Sequence, residues 1–236
     1  MIRIVLCTNG GFPGVAVLDH LLASPRVQLA GIVLSTRILS ARYGFLRGAW
    51  EQYRRSGLRY TLYLGWATAP RLRATSIPLL RTKDINRNRE FIEQLSPDLL
   101  VSAFFNQKIG ESIVAIPRYG AVNIHPSLLP AFRGVDPVFY AKLRSSPALG
   151  VSVHRISPEF DCGDILAQEE FPTAPHESVL AATTRLYRAG AELLIASLDD
   201  IVAGARGTPQ AGEGNYDSWP SCDQVAALRR KGMRLV

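Results

Sequence analysis

Ile2 to Cys7 is a short apolar run that stops at Thr8-Asn9-Gly10-Gly11-Phe12-Pro13-Gly14, resumes as a helical pattern through Val15, Val17, Leu18, Leu21 and Leu22, and is followed by a second apolar run, Val27 to Leu34. Strand, glycine-rich turn, helix and strand at this spacing make a parallel βαβ unit, which needs its crossover to be right-handed and its sheet covered on both faces. The expectation is therefore an α/β chain with a mostly parallel twisted sheet flanked by helices. The first turn lacks Gly-x-Gly-x-x-Gly, and Ser35-Thr36-Arg37 stand where a dinucleotide fold carries an acidic residue, so a dinucleotide site is not expected. The amides of Asn9, Gly10, Gly11 and Phe12 at a helix start suit an anion or a polar substrate group, and equally suit a tight structural turn.

The rest of the chain extends the pattern. Pro78-Leu79-Leu80 reads as a short strand, Asn86 to Leu95 as a helix, and Leu99 to Ala103 as a central strand that is apolar on both faces. A helix near Ser112 to Ile116 leads to a strand at Ala121 to Ile124. Asp136-Pro137 starts another helix, Gly150 to His154 and Ile165 to Phe171 read as partner strands, and Ser178 to Val202 carries apolar residues at helical spacing that would close a face of the sheet. Ile38 to Leu72 suggests two amphipathic helices broken near Gly57. Residues 1–203 are expected to form one catalytic domain with a basic helical insertion at about 38–73. Residues 204–236 then make a linker and tail with one helix near Asp223 to Arg230, too short for a second ordinary domain.

Composition limits the function classes. The 236 residues are 47% hydrophobic, enough for a substantial core, yet no stretch approaches the roughly 20 apolar residues of a membrane span. No secretory leader is read at the start, and a cytoplasmic location is expected. Three scattered cysteines, Cys7, Cys162 and Cys222, without a Cys-x-x-Cys or a companion histidine cluster, indicate neither a disulfide framework nor a metal site. The net charge of +7 is concentrated: between Arg37 and Glu90 twelve Arg or Lys residues face only Glu51, Asp84 and Glu90. Such a field attracts phosphate-bearing partners, and it also describes a solvated helical face.

The chemistry gathers at Asn123-Ile124-His125-Pro126. Positions two apart on a strand share a face, so the Asn123 amide and the His125 imidazole project together, and Pro126, Pro130 and Gly134 turn the strand end into a rigid loop. Taken alone, the pair is either a hydrogen-bond donor beside an acid/base group or two buried polar groups satisfying a turn. Ligands of open α/β sheets lie beyond the carboxyl ends of the strands, so the segments after Ala103 and after Ile124 are expected to flank one crevice.

The run Asn123-Ile124-His125-Pro126-Ser127-Leu128-Leu129-Pro130 through Gly134, followed by Phe160-Asp161-Cys162-Gly163-Asp164-Ile165-Leu166, resembles the formyltransferases that use 10-formyltetrahydrofolate. That family includes the methionyl-tRNA, glycinamide ribonucleotide and amino-sugar enzymes. The resemblance runs from Arg3 to about Ile201, strongest from Asp98 to Gln168, and implies a Rossmann-like sheet with a folate slot at its carboxyl edge. It also implies an amine attacking the formyl carbon, with Asn123 donating to the developing oxyanion, His125 stabilising the same oxygen and moving a proton, and Asp161 orienting His125. Asn106, Gln107, Lys108 and Ile109 fall where main-chain groups hold the pterin, and Ser157, Pro158, Glu159 and Phe160 fall on the loop that closes over it. Phe104 or Phe105 replaces the family's usual small residue, which would reshape the slot. Arg133 and Gly134, with Asn9 to Phe12, are carried over as acceptor-side residues, and no metal is required. The expected acceptor is a small-molecule primary amine, an amino-sugar nucleotide or a specialised metabolite. Methionyl-tRNA and glycinamide ribonucleotide are the alternatives, followed by hydrolysis of the formyl donor and by a non-catalytic RNA-binding role on the same fold.

Overall fold

The computed structural model describes residues 1–37, 76–174 and 176–236. The expected basic helical insertion at 38–73 lies outside the described residues. Elements are numbered here in chain order among those described: β1 (Ile2–Thr8), α1 (Gly11–Ala23), β2 (Val27–Ser35), β3 (Leu79–Thr82), α2 (Arg89–Leu95), β4 (Leu99–Ala103), α3 (Glu111–Val114), β5 (Ala121–His125), β6 (Arg133–Gly134), α4 (Pro137–Leu143), β7 (Ala148–Arg155), β8 (Ile165–Pro172), α5 (Val179–Ala196), α6 (Leu198–Val202), β9 (Tyr216–Asp217) and α7 (Cys222–Arg230).

Seven strands form one sheet in the order β3-β2-β1-β4-β5-β7-β8. The five from β3 to β5 pair in parallel, whereas β7 is antiparallel to β5 and β8 is antiparallel to β7. Strand alternation divides the core between the two faces of the sheet. Ile4 and Leu6 of β1 join Val17 and Leu21 of α1 and Leu186 and Leu194 of α5, while Val5 and Cys7 join Ile92 of α2 and Ile113 of α3. The chain leaves β1 toward β2 on one side and takes up β4 on the other. That reversal of strand order opens a crevice at the carboxyl ends, and across it the Asn9 amide donates to the Phe104 carbonyl at 2.7 Å.

Helix α5 supports the strand that carries the Asn-x-His pair. Its Ser178 hydroxyl caps the Ala181 amide, and its buried positions, Val179, Ala182, Leu186, Gly190 and Leu194, repeat at helical spacing. At Gly190 a Cβ would stand 2.4 Å from Ile124 Cγ2 and 2.7 Å from Val151 Cγ2, so the missing side chain sets the close approach of α5 to β5 and β7.

Two expected helices are each divided. The single helix read from Asn86 to Leu95 is a 3-10 turn at Ile85–Arg87 followed by α2, because Asn88 leaves helical geometry (φ −125°) to donate from its side chain to Asp84 O and Thr82 Oγ1. The helix read from Ser178 to Val202 breaks at Ser197, whose hydroxyl bonds back to Leu193 O at 2.8 Å beside the helical amide bond to the same carbonyl. The last segment is not separate from the fold: β9 pairs in parallel with β6, and Val225 and Leu228 of α7 enter the main core.

Candidate active site

Strand β5 turns Val122 and Ile124 into the main core and leaves Asn123 and His125 on the opposite side. Their side chains converge on one carboxylate oxygen. Asp161 Oδ1 lies 3.4 Å from Asn123 Nδ2 and 3.5 Å from His125 Nδ1, and Asp161 Oδ2 accepts from the Gly134 amide at 2.9 Å. The three residues named from the sequence therefore form one partly buried cluster. The side chains of His125 and Asp161 are only 6% and 12% exposed, so their electrostatics act with little screening by water. The other nitrogen of His125, Nε2, donates to the Phe132 carbonyl at 3.0 Å.

A second histidine belongs to the cluster. His154 faces Asn123 across the β5–β7 pairing, and its Nε2 lies 3.1 Å from Asn123 Nδ2. The tautomer follows from the partners: Nδ1 must carry the proton to donate to Arg155 O at 2.8 Å, which leaves Nε2 as the acceptor for the Asn123 amide. Burial, reinforced by the nearby His125, pushes His154 down to about 4, so the ring is neutral near pH 7 and keeps that lone pair. The contact of His154 Nε2 with Asp161 Oδ1, at 3.7 Å, is accordingly no ion pair at that pH. Behind the cluster Tyr187 is buried edge-on to Phe104, its hydroxyl pushed up by burial and then by the charge of Asp161.

An open cleft of about 420 Å³ adjoins this cluster, lined by Lys108, Arg133, Pro158, Glu159, Phe160, Cys162, Gly214, Asn215 and Tyr216. Lys108 follows β4 and Arg133 follows β5, so the two segments expected to flank a crevice do so. Of the residues expected on the folate side, Lys108, Pro158, Glu159 and Phe160 line the cleft. The side chains of Asn106 and Gln107 are used elsewhere: Asn106 bonds Ser35 Oγ and Arg37 O, and Gln107 bonds the Ile85 amide, Ser35 Oγ and Thr82 O. These contacts tie together the loops after β2, β3 and β4. Ile109 is packed in the second core cluster, and the Ser157 hydroxyl closes on Glu159 O.

The acceptor-side residues also divide. Arg133 lines the cleft and Gly134 fixes Asp161, whereas Asn9 to Phe12 form the β1–α1 turn and are not among the lining residues. Two amides of that turn have internal partners, Asn9 N on Phe104 O and Gly10 N on Thr8 Oγ1. The sequence reading missed His154, the cleft-lining Asn215 and Tyr216, and Gln210, whose amide donates to the carbonyls of Asp161 and Gly163. The alternation of β7 marks His154 as a polar residue sharing a face with Ser152, but its meeting with Asn123 depends on the antiparallel register. The other three lie in a stretch without periodicity, read as linker and tail.

An α/β sheet with Asn, His and Asp side chains gathered at its carboxyl edge defines a class of proteins whose site lies in the crevice beyond the strand ends. Residues 79–198 match the family model described as formyl transferase, and the chain belongs to that family. A methionyl-tRNA formyltransferase from Geobacillus sp. is 36% identical over 130 residues, covering 54% of this chain and 41% of the relative, so the chain spans well under two thirds of that protein's length. Among solved structures, the fold is shared with a sugar N-formyltransferase from Shewanella sp. (TM-score 0.62, 20% identity, covering 98% of this chain and 88% of that one). It is shared also with glycinamide ribonucleotide transformylase 1 from Symbiobacterium toebii (0.62, 19%, 90% and 95%) and with HypX from Aquifex aeolicus in complex with tetrahydrofolic acid (0.61, 18%, 94% and 30%).

Proposed function

We propose that the protein transfers a formyl group from 10-formyltetrahydrofolate to a primary amine of a small-molecule acceptor, with an amino-sugar nucleotide or a specialised metabolite as the acceptor class. The observation that carries the reading is the convergence of Asn123 and His125 on one oxygen of Asp161, in a chain that belongs to the formyl transferase family. The cleft suits a folate-like donor: the exposed ring of Phe160 offers a flat apolar surface, and Lys108 offers a cation to its carboxylates. Bound there, the donor supplies the formyl carbon and a nitrogen leaving group.

The remaining steps belong to this chain. Asn123 holds its amide toward the cluster with the nitrogen end fixed by His154, and the long 3.4 Å contact to Asp161 is the one exchanged for the developing negative oxygen. For His125 to reach the same oxygen, its Nε2–H must leave the Phe132 carbonyl, while Nδ1 stays beside Asp161. The amine nitrogen bonds to the formyl carbon, collapse of the tetrahedral centre breaks its bond to the folate nitrogen, and that departing nitrogen receives the proton the amine gives up, relayed by His125 with Asp161 compensating the positive charge on the ring.

The test is incubation of the purified chain with 10-formyltetrahydrofolate and, separately, amino-sugar nucleotides, glycinamide ribonucleotide, initiator methionyl-tRNA or no amine. Formylation of an amino sugar supports the reading, and rapid formate release without amine replaces it with hydrolysis. Absence of turnover with every amine, together with tight salt-sensitive RNA binding, replaces it with a binding role. A second acceptor, methionyl-tRNA, is favoured by the 36% identity to the Geobacillus enzyme, and formylation of the charged tRNA in the same panel selects it.

A further inference from the structure

Two loops meet at one side chain far along the chain from either of them. Gln210 donates from Nε2 to the carbonyls of Asp161 and Gly163, at 2.9 and 2.8 Å, and accepts at Oε1 from Nε and a terminal guanidinium nitrogen of Arg133, at 3.0 and 2.6 Å. Both amide hydrogens and both lone pairs are used. The orientation of the amide is also forced, because reversing it would set an oxygen against two carbonyls and an NH₂ against a guanidinium.

The backbone that Gln210 holds requires holding. Asp161 sits in the left-handed region at φ +55°, and a Cβ at Gly163 would fall 1.8 Å from Arg155 O. On the other side of the bridge, Arg133 precedes Gly134, whose amide donates to Asp161 Oδ2. The guanidinium of Arg133 is accommodated by Gly214, where a Cβ would lie 2.6 Å from its central carbon. Asn215 adds a parallel tie, its Oδ1 accepting from the Phe132 amide and its carbonyl from the Arg133 amide. Phe132 O is in turn the acceptor for His125 Nε2.

We infer that Gln210 is a positioning residue for formyl transfer, clamping the loop that carries Asp161 to the loop that follows His125 so that the carboxylate stays on the Asn123–His125 pair. This rests on the formyl-transfer reading for its kinetic consequence and on geometry alone for the clamp. Gln210 does not touch the reacting atoms. It acts through Asp161 and Gly134.

Two variants separate the contributions. Gln210→Ala removes every bond of the bridge, and Gln210→Glu keeps an acceptor for Arg133 while losing both donors to Asp161 O and Gly163 O. With 10-formyltetrahydrofolate and the amine that the wild-type protein formylates, both variants should lower kcat by about 10- to 100-fold with KM for the donor within about twofold, as misplacement of a catalytic group does. In parallel, amide hydrogen exchange at Gly134 should speed up by at least about tenfold in both variants, while global melting shifts by only a few degrees. Wild-type kcat in Gln210→Ala, or unchanged Gly134 exchange, overturns the clamp. Loss of activity through KM alone, or recovery of full activity in Gln210→Glu, also overturns it. If the wild-type protein formylates no amine, the functional reading fails by itself and the exchange measurement decides the clamp.

Discussion

At the scale of single residues, the site is built on assignments that hydrogen-bond partners fix. His125 faces a carboxylate on one nitrogen and a carbonyl on the other, so the ring is held between two acceptors. Replacing His125 with Ala is expected to lower kcat by about 10²- to 10⁴-fold while donor affinity persists, measured by single-turnover kinetics beside equilibrium titration of the donor; a near-wild-type rate would remove His125 from the mechanism. His154 has a different task, accepting the Asn123 amide. In His154→Leu that N–H loses its acceptor in a partly buried setting, and urea unfolding should report a loss of about 1 kcal/mol, with retained stability arguing against the bond. Asn123 and His125 were legible in the sequence because a strand has a strict two-residue period. His154 was not, since its role exists only through cross-strand register.

At the scale of elements, the placement of β5 depends on what packs beneath it. Gly190 lets α5 approach Ile124 and Val151, so Gly190→Val should overpack that contact, cost about 1–3 kcal/mol in chemical denaturation and lower activity through β5. An unchanged unfolding midpoint would show that the helix can step away without cost. The parallel strands and α1 were predictable because they combine apolar runs with glycine punctuation. The two misread helices carried the correct periodicity, but Asn88 and Ser197 redirect the chain through side-chain bonds that an apolar pattern does not encode. The β6–β9 pair was also invisible: four residues in two short segments leave no alternation to read, and Gly134 admits Asp217 O only because it lacks a Cβ.

At the scale of the whole molecule, two desolvated groups give opposing pH dependences. His154 has its ordinary value of 6.5 lowered to about 4, chiefly by burial, so the unfolded chain binds that proton first and stability falls as pH drops from 6.5 toward 4. Asp136 keeps part of its surface in solvent contact, yet its carboxyl sits deep among packed atoms, and desolvation raises it from 3.8 to about 6. Its folded form therefore binds the proton first, and its contribution is lost as pH rises from 3.8 through 6. Asn tolerates the left-handed backbone at this position (φ +58°) and carries no charge, so Asp136→Asn should be more stable than the wild type near pH 7.5, an advantage that fades toward pH 4. Urea melts at both pH values test this, and a difference independent of pH would show that the charge is not the cause. The sequence by itself determined the α/β class, the Asn-x-His pair on one strand face and the resemblance that names formyl transfer, because periodicity, glycine punctuation and a long contiguous motif are local properties of a chain. Only the tertiary structure decided that Asp161 meets both members of the pair on one oxygen, that His154 fixes the amide of Asn123, and that a stretch read as a linker reaches the site through Gln210. Those relations join residues tens of positions apart, and the contacts that hold them are set by register and packing rather than by neighbours along the chain.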